Sequence, residues 1–173
     1  MELFDQFKKV KAFVFDVDGV LTNGEVLVTD HGEQLRSFYI KDGYALQLAV
    51  KRGYPVAVIT GGKSRGVELR LKGLGVQDVF LDVRDKVEVL HRWIDPQGLK
   101  FDDLLFMGDD IPDLKVMEEV MLACSPADAV EEIKAVSHYI SSFSGGRGAV
   151  RDVIEKVLKL QDNWGEDTTV KSK

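Results

Sequence analysis

The chain has 173 residues, of which 45% are hydrophobic, and its formal net charge is -6 at pH 7. This length is sufficient for one α/β domain with a real core, and the ordinary apolar content argues against wholesale disorder. The negative charge excludes generic nucleic-acid binding, which normally needs a basic face, so we expect no nucleic-acid partner. An anionic substrate would need a local cation or a metal ion.

The sequence carries no mark of export or membrane insertion. Residues 1–11 mix charged and apolar side chains and lack the apolar centre of a signal peptide. No apolar stretch approaches membrane-spanning length, so we expect no membrane partner. Cys124 is the only cysteine, which rules out an intrachain disulfide and fits a reducing compartment. These features predict a soluble, cytoplasmic protein.

The first predicted element is a buried strand over Ala12–Phe15, which runs directly into Asp16, Asp18 and Gly19. The segment at about 24–41 has turn residues at its centre and therefore predicts a β-hairpin. Because isolated two-stranded hairpins are marginal in water, we expect it to pack on the body or on another subunit. Asp42 is the candidate N-cap of the helix that follows and ends at Gly53.

Beyond Gly53, buried strands alternate with helices. Strands are predicted at 54–59, 79–81, 104–107, 121–124 and 138–140, and helices at 64–72, 86–93, 114–119, 127–136 and from Gly148 to about Leu160. This alternation predicts an α/β fold, a doubly wound parallel sheet with helices on both faces. We expect a single domain over residues 1–160, followed by a mobile C-terminal tail over residues 161–173.

Chemically distinctive side chains lie at or just beyond the carboxyl ends of the predicted strands, where a parallel sheet gathers them in one crevice. They are Asp16 and Asp18, then Thr60 and Gly61, then Lys86, then Asp109, Asp110 and Asp113. Each group alone has an ordinary explanation as a solvated turn, a loop or a helix cap. Their residue types complement one another, which favours a shared chemical site.

The combination indicates phosphoryl chemistry. Three or more carboxylates need a hard divalent cation to coexist, and Mg²⁺ prefers oxygen ligands, although Mn²⁺ and Co²⁺ also accept them. A hydroxyl, backbone amides and an ammonium group suit phosphate oxygens. One carboxylate beside the metal can form an aspartyl-phosphate. A second carboxylate two residues on can protonate the leaving alcohol and later deprotonate the attacking water.

Four short motifs of the chain resemble those of a known protein family. DVDGVLT at 16–22, ITGG at 59–62, Lys86 and GDDIPD at 108–113 match, in order, the four motifs of the haloacid dehalogenase superfamily phosphatases. The resemblance covers nearly the whole chain from Val10 to Leu160. Within the superfamily, KDGYALQLAVKRG at 41–53, GGKSRGVELRLKGLGV at 61–76 and GGRGAVRD at 145–152 resemble its small capless branch, in which a β-hairpin stands in place of a cap domain.

The resemblance implies a role for each matching position. Asp16 would be the nucleophile and a Mg²⁺ ligand, and Asp18 the general acid/base that also gives its backbone carbonyl to the metal. Asp109 would be the third protein ligand, while Asp110 and Asp113 would orient metal waters or neighbouring groups.

The remaining catalytic positions would bind phosphate. The resemblance implies that Thr60 and the Gly61 amide hold the phosphoryl oxygens and that Lys86 balances the charge of Asp16 and the phosphate. The implied reaction is hydrolysis of 3-deoxy-D-manno-octulosonate 8-phosphate (KDO 8-phosphate), a lipopolysaccharide precursor.

The resemblance also implies a homotetramer, in which the hairpins build a shared β-barrel and a neighbouring subunit covers each open active site. Gly62, Lys63, Arg70 and Arg147 would meet the carboxylate or hydroxyls of the sugar acid, some of them across an interface. Many members carry arginine directly after ITG, where this chain has Gly62 followed by Lys63. A lysine is not geometrically equivalent to a bidentate arginine, so the sugar contacts differ from the family pattern.

Two alternative functions are compatible with parts of the pattern. The first keeps the chemistry and changes the substrate to the 9-phosphate of a nine-carbon keto-sugar acid. The second is a phospho-accepting receiver domain, which also combines acidic residues with a threonine and a lysine. In receivers the acidic pair precedes the acceptor strand, whereas here the candidate nucleophile Asp16 comes first and the acidic cluster last.

Overall fold

The computed structural model describes residues 2–173. In chain order its elements are α1 Leu3–Lys9, β1 Ala12–Phe15, β2 Leu27–Val28, β3 Gln34–Leu35, α2 Ile40–Lys51, β4 Val56–Ile59, α3 Arg65–Gly73, β5 Asp78–Phe80, α4 Lys86–Ile94, β6 Leu104–Met107, α5 Leu114–Glu119, β7 Leu122–Ser125, α6 Glu131–Val136, β8 Tyr139–Ile140 and α7 Ala149–Leu160. Single 3-10 turns lie at Asp95–Gln97, Phe101–Asp103 and Ile111–Asp113.

Six strands form one sheet in the order β5-β4-β1-β6-β7-β8, and every neighbouring pair is parallel. The chain leaves the central strand β1 toward β4 and β5, then crosses back to β6 on the other side of β1. The strand order therefore reverses around β1, and open α/β sheets bind their ligands at the carboxyl ends of the strands beside such a reversal. The predicted doubly wound α/β fold is confirmed.

Both faces of the sheet are covered. Successive strand residues point to opposite faces, so Phe13 and Phe15 pack with α1, α2, α3 and α7, while Ala12 and Val14 pack with α4, α5 and α6. Each of the four inner strands β1, β4, β6 and β7 is buried along its whole length. These apolar runs are hydrophobic on both faces because helices cover both faces.

The predicted hairpin is present as the antiparallel pair β2 and β3, in which Leu27 lies opposite Leu35. It forms no part of the main sheet, and both of its strands are exposed. The chain reaches the hairpin directly from the loop that carries Asp16 and Asp18. The hairpin therefore stands next to the carboxyl ends of the central strands.

Some element boundaries differ from the prediction. Helix α2 already begins at Ile40, so Asp42 lies inside its first turn, and the prediction that Asp42 caps this helix is wrong. Instead, Asp42 is buried, and its Oδ1 accepts a hydrogen bond of 2.9 Å from the backbone N–H of Arg151 in the first turn of α7. Asp42 therefore caps a neighbouring helix, a contact that local sequence does not reveal.

The tail from residue 161 lies along α2 and α3. Arg52 Nε donates to the Asn163 carbonyl oxygen at 3.0 Å, and Lys51 Nζ lies 2.6 Å from an Asp167 carboxylate oxygen. The Tyr44 hydroxyl donates to the Asp167 carbonyl oxygen at 3.1 Å. The mobility expected for this tail stays a prediction. Within residues 2–173, no helix combines the length and the apolarity needed to cross a membrane.

Candidate active site

A cleft of about 600 Å³ opens at the carboxyl ends of β1, β4 and β6. The predicted residues that line it are Asp16, Asp18, Thr60, Gly61, Gly62, Lys86, Asp109, Asp110 and Asp113, joined by Gly24, Val83, Arg84 and Pro112. The structure thus brings together in one cleft the four groups of residues that were predicted at strand ends. The arrangement follows from the strand order, which sets β4 and β6 on either side of β1.

Lys86 joins two carboxylates at the floor of the cleft. Its Nζ lies 2.7 Å from Asp16 Oδ1 and 2.6 Å from Asp113 Oδ1, and all three side chains are nearly buried. Asp85 positions the lysine, because its side chain accepts from the Glu88 N–H at 3.0 Å and so begins α4 at Lys86. The second oxygen of Asp113 accepts from the Asp109 N–H at 3.0 Å. One buried carboxylate thereby orients both the lysine and the Asp109 loop.

The carboxylates in the cleft disfavour each other's charge. Burial and the nearby charge of Asp113 raise the pKa of Asp16 to about 6, although Lys86 opposes this shift. Burial, together with Asp16, Asp113 and Asp110, raises the pKa of Asp109 to about 8. Burial alone would lower the pKa of Lys86, but its two carboxylate partners produce a net upward shift. The cleft therefore holds more negative charge than its lysine neutralises.

This surplus of carboxylate charge fits a divalent metal ion. Oxygen atoms of Asp16, Asp109 and Asp113 all lie within 4.8 Å of one another. All three donors are oxygens, the ligand type that Mg²⁺ prefers. Because both oxygens of Asp113 already accept hydrogen bonds from Lys86 and Asp109, the carboxylates of Asp16 and Asp109 are the better placed ligands. Asp110 is exposed, and its side chain accepts from the Ile111 N–H at 2.8 Å.

The loop after β4 forms the opposite wall. Thr60 is buried, and its Oγ1 accepts from the Gly62 N–H at 3.1 Å, which curls the loop around the hydroxyl. The loop before α4 is tied to it, because the Val83 N–H donates to the Thr60 carbonyl oxygen at 3.0 Å and the Asp82 N–H to the Gly62 carbonyl oxygen at 2.9 Å. These bonds fix Thr60 beside Lys86.

The loop that follows β1 carries Asp16, the predicted nucleophile, and is called the nucleophile loop here. It is packed so closely that it requires glycine. Gly19 has φ +84, and a Cβ at this position would lie only 1.9 Å from Asp109 Oδ2. A Cβ on Gly145 would lie 1.8 Å from the Gly19 carbonyl oxygen, so the loop before α7 packs directly on the loop after β1. The GGRG sequence at 145–148 therefore holds the nucleophile loop in place, a role that sequence reasoning did not assign to it.

Asp18 lines the cleft, but its carboxylate is paired with a residue that the sequence did not indicate. Arg36, just after β3, places its Nε 2.6 Å from Asp18 Oδ1 and its Nη2 3.3 Å from Asp18 Oδ2. A single arginine in an exposed hairpin has no sequence signal that predicts this contact. The Asp18 carboxylate also lies outside the cluster of Asp16, Asp109 and Asp113.

Three of the four predicted sugar-binding residues do not line the cleft of this single chain. Lys63 is 76% exposed and lies 3.2 Å from Asp82, and Arg147 is exposed in the loop before α7. Arg70 lies over the ring of Phe38 and donates to the Lys173 carbonyl oxygen. Only Gly62 is part of the cleft. Contacts of Lys63, Arg70 and Arg147 with a sugar acid stay predictions for an assembled protein.

Arg84 is a second cation at the cleft that sequence reasoning missed. It is exposed at the rim of the cleft. Its neighbours in the chain are Val83, whose N–H donates to the Thr60 carbonyl oxygen, and Asp85, which caps α4. Among residues 2–173, Arg84 has no carboxylate within ion-pair distance. The sequence does contain a signal that could have identified Arg84. This residue lies two positions before Lys86, in a loop at the carboxyl edge of the sheet.

Comparison with known proteins places this arrangement in a family. No protein-family model matches the chain. The curated 3-deoxy-D-manno-octulosonate 8-phosphate phosphatase KdsC of Escherichia coli K12 is 32% identical over 159 residues, which is 92% of this chain and 85% of the relative. The chain belongs to the KDO 8-phosphate phosphatase family.

Solved structures agree with this membership. The KDO 8-phosphate phosphatase of Moraxella catarrhalis, determined in complex with magnesium, phosphate and KDO, superposes with a TM-score of 0.90 at 36% identity, covering 93% of this chain and 92% of that one. The cobalt-bound enzyme of Haemophilus influenzae gives a TM-score of 0.87 at 28% identity, covering 91% and 92%. Those two KDO 8-phosphate phosphatases hold divalent metals, as the carboxylate cluster of this chain leads one to expect.

Proposed function

We propose that the chain is a Mg²⁺-dependent phosphomonoesterase that hydrolyses KDO 8-phosphate to KDO and phosphate. The observation that carries this proposal is the bridge from Lys86 to Asp16 and Asp113 at the floor of a cleft whose other wall is the Thr60 loop. Membership of the KDO 8-phosphate phosphatase family supports the substrate. The product KDO assigns the reaction to the synthesis of lipopolysaccharide precursors.

In the first half-reaction, Asp16 attacks phosphorus and the bond from phosphorus to the sugar oxygen breaks. Lys86 keeps the attacking carboxylate charged and oriented, since its ammonium lies 2.7 Å from Asp16 Oδ1. Asp18 gives a proton to the departing sugar oxygen, which leaves as an alcohol. The phosphoryl group is then held as an acyl phosphate on Asp16, with its oxygens facing Thr60, Gly61 and Lys86.

In the second half-reaction, Asp18 takes a proton from a water molecule, and that water attacks the phosphorus of the Asp16 acyl phosphate, whose bond from phosphorus to the carboxylate oxygen breaks. Phosphate leaves, and the Asp16 carboxylate is restored. When bound, Mg²⁺ would be held by the carboxylates of Asp16 and Asp109 and the backbone carbonyl of Asp18, and it would neutralise charge on the phosphoryl oxygens. Asp113 supports this set by orienting Lys86 and the Asp109 loop.

The proposal extends to assembly and location. Both hairpin strands of a single copy are exposed, and Leu27 is 68% exposed, which supports a second copy as the partner of this surface. We infer a homotetramer in which hairpins pair between copies and a neighbour covers each cleft, bringing residues such as Lys63, Arg70 or Arg147 to the sugar. A cytoplasmic location is part of the same proposal.

The test is phosphate release from KDO 8-phosphate by the purified chain, with Mg²⁺ and with a chelator. We expect metal-dependent turnover that Asp16→Asn abolishes, because the amide cannot form the acyl phosphate although the side chain keeps its shape. Asp95→Asn, an exposed carboxylate outside the cleft, is the matched control and should keep full activity. Substantial activity in Asp16→Asn would show that Asp16 is not the nucleophile. A higher kcat/KM on a nine-carbon keto-acid 9-phosphate would move the substrate and keep the mechanism.

A further inference from the structure

Arg36 is the residue of the hairpin that points inward. Its side chain is only 8% exposed, although the strands β2 and β3 before it are exposed on the surface. Arg36 is not among the residues that line the cleft, whereas Asp18 is, and Nη2 of Arg36 lies 3.8 Å from the point where a Cβ on Gly62 would lie. Asp18 is the one residue of the cleft to which the guanidinium donates hydrogen bonds, so a role of Arg36 in the site acts through Asp18.

The guanidinium is fixed from both sides. Its Nη1 donates to the Gln34 carbonyl oxygen at 3.3 Å, which ties the side chain to strand β3. Its Nε and Nη2 form a fork on the Asp18 carboxylate, and a planar fork of this kind restrains both the position and the rotation of a carboxylate. An unpaired aspartate at a loop in an open cleft would be free to change rotamer.

The fork is asymmetric. Nε lies 2.6 Å from Oδ1, whereas Nη2 lies 3.3 Å from Oδ2. Oδ2 is also the oxygen that faces the phosphate-binding loop, 3.8 Å from the point where a Cβ on Gly62 would lie. Arg36 therefore holds Oδ1 by its shorter hydrogen bond, while Oδ2 accepts the longer one and faces the loop of Gly62.

We propose that Arg36 is the positioning residue of Asp18, and that the hairpin thereby sets the geometry of proton transfer in the active site. This inference rests on the proposed function, in which Oδ2 of Asp18 gives its proton to the sugar oxygen as the phosphorus–oxygen bond breaks. Proton transfer requires that the donor lie within hydrogen-bond distance of the departing oxygen. If the Asp18 carboxylate changes rotamer, this step therefore slows without any weakening of substrate binding.

The test uses two substrates that differ in their need for a proton. The sugar oxygen of KDO 8-phosphate leaves as an alcohol and must be protonated, whereas the p-nitrophenolate of p-nitrophenyl phosphate is stable as an anion. For Arg36→Gln we expect kcat on KDO 8-phosphate to fall about 10- to 100-fold, part of the ~10²–10⁴-fold that general acid–base catalysis supplies. KM and the pre-steady-state release of p-nitrophenolate should change less than about threefold, since neither depends on this proton.

Two further variants make the result decisive. Arg36→Lys keeps one donor and should restore part of kcat on KDO 8-phosphate, while Ser37→Ala, at the exposed neighbouring residue, should behave as the unmodified chain. An equal fall on both substrates, or a fall on neither, in Arg36→Gln and Arg36→Lys would overturn the inference, because a damaged fold or an uninvolved residue gives those patterns. If the unmodified chain released phosphate from neither substrate, the proposed function itself would have failed, and this inference with it.

Discussion

At the scale of single residues, the active site depends on glycines at positions where only a hydrogen atom fits. Besides Gly19, which faces Asp109, Gly108 lies at the end of β6, where an added Cβ would come within 2.5 Å of Cβ and Cγ of Asp113. Asp113 holds both Lys86 and the Asp109 backbone. A single methyl group at residue 108 therefore disturbs the site without touching any reacting atom.

We predict that Gly108→Ala lowers kcat/KM on KDO 8-phosphate by at least about tenfold, since misplaced catalytic groups commonly cost factors of this size or more. Asp113 must move away from the methyl group, and Lys86 loses one of its two partners. Gly73→Ala is the matched control, because no atom lies within 4 Å of an added Cβ there and alanine favours the helix α3. Steady-state kinetics on both variants measures the difference, and equal activities would contradict the account of Asp113.

Asp42 is a buried carboxylate outside the active site. Its Oδ1 accepts from the Arg151 N–H, while its Oδ2 is buried without a hydrogen-bond partner among the described residues. Burial raises the pKa of Asp42 to about 6, although its backbone hydrogen bonds and Arg151 oppose the shift. The folded state thus holds this proton more tightly than the unfolded chain does.

The upward shift of the Asp42 pKa determines how the stability of the folded chain depends on pH. The contribution of Asp42 to stability is fully present below pH 3.8 and is lost as the pH rises through about 6. We predict that Asp42→Asn removes this loss, because asparagine does not titrate. The difference in the free energy of unfolding, variant minus unmodified chain, should therefore rise by up to about 3 kcal/mol between pH 4 and pH 7. Urea unfolding at several pH values measures it, with exposed Asp102→Asn as control. A relative stability independent of pH would show that Asp42 stays charged when folded.

At the scale of elements, the apolar patterns were sufficient to predict the strands of the main sheet and most helices. The four inner strands are continuous apolar runs bounded by turn residues, which is why their positions could be read from the sequence. The helix predicted over 127–136 begins only at Glu131, because residues 126–130 form a turn that packs on the Asp109 loop: the Val130 N–H donates to the Asp109 carbonyl oxygen at 3.0 Å. Tertiary contacts of this kind leave no periodic signal.

Helix α7 links the sheet to the nucleophile loop. One of its faces is fully buried against α1 and α2, and Ile154 lies in that face with no exposed surface. Gly145, before the helix, packs on Gly19, but Ile154 itself does not line the cleft. Core packing and catalysis are therefore separable along this helix.

We predict that Ile154→Ala lowers the free energy of unfolding by about 2–5 kcal/mol, because it leaves a cavity in the core. At a temperature where the variant remains folded, kcat on KDO 8-phosphate should be within about twofold of the unmodified chain. Leu69→Ala, at an exposed position of α3, is the control and should change stability by no more than about 0.5 kcal/mol. A large loss of kcat in the folded Ile154→Ala protein would show that α7 transmits strain to the nucleophile loop.

At the scale of the whole molecule, the sequence predicted which groups meet at the cleft but not what holds them. The motif residues were predictable because they follow consecutive parallel strands, and such strands end at one edge. Arg36 was not, since its contact with Asp18 spans 18 residues and depends on how the hairpin folds back over the loop after β1. The predicted contacts of Lys63, Arg70 and Arg147 with a sugar acid stay predictions, because the cleft of a single copy does not include these residues.

The exposed hairpin surface offers a test of the proposed assembly, in which a neighbouring copy covers the cleft. Leu27 lies opposite Leu35 and is exposed in a single copy, so a charge at this position costs nothing in the isolated chain. In a barrel shared between copies it would be buried without a partner, which is strongly unfavourable. We predict that Leu27→Glu converts the proposed tetramer into smaller species while the far-ultraviolet circular dichroism stays unchanged.

Sedimentation velocity at about 10 μM measures this change, and Phe4→Glu is the matched control, since Phe4 is equally exposed but belongs to α1. We expect Phe4→Glu to sediment as the unmodified chain does. If neighbours cover the clefts, the dissociated Leu27→Glu protein should also show a higher KM for KDO 8-phosphate, while p-nitrophenyl phosphate, which has no sugar to be held, should be turned over with little change. An unmodified chain that sediments as a monomer would contradict the assembly and leave Asp16, Lys86 and Arg36 to act within one copy.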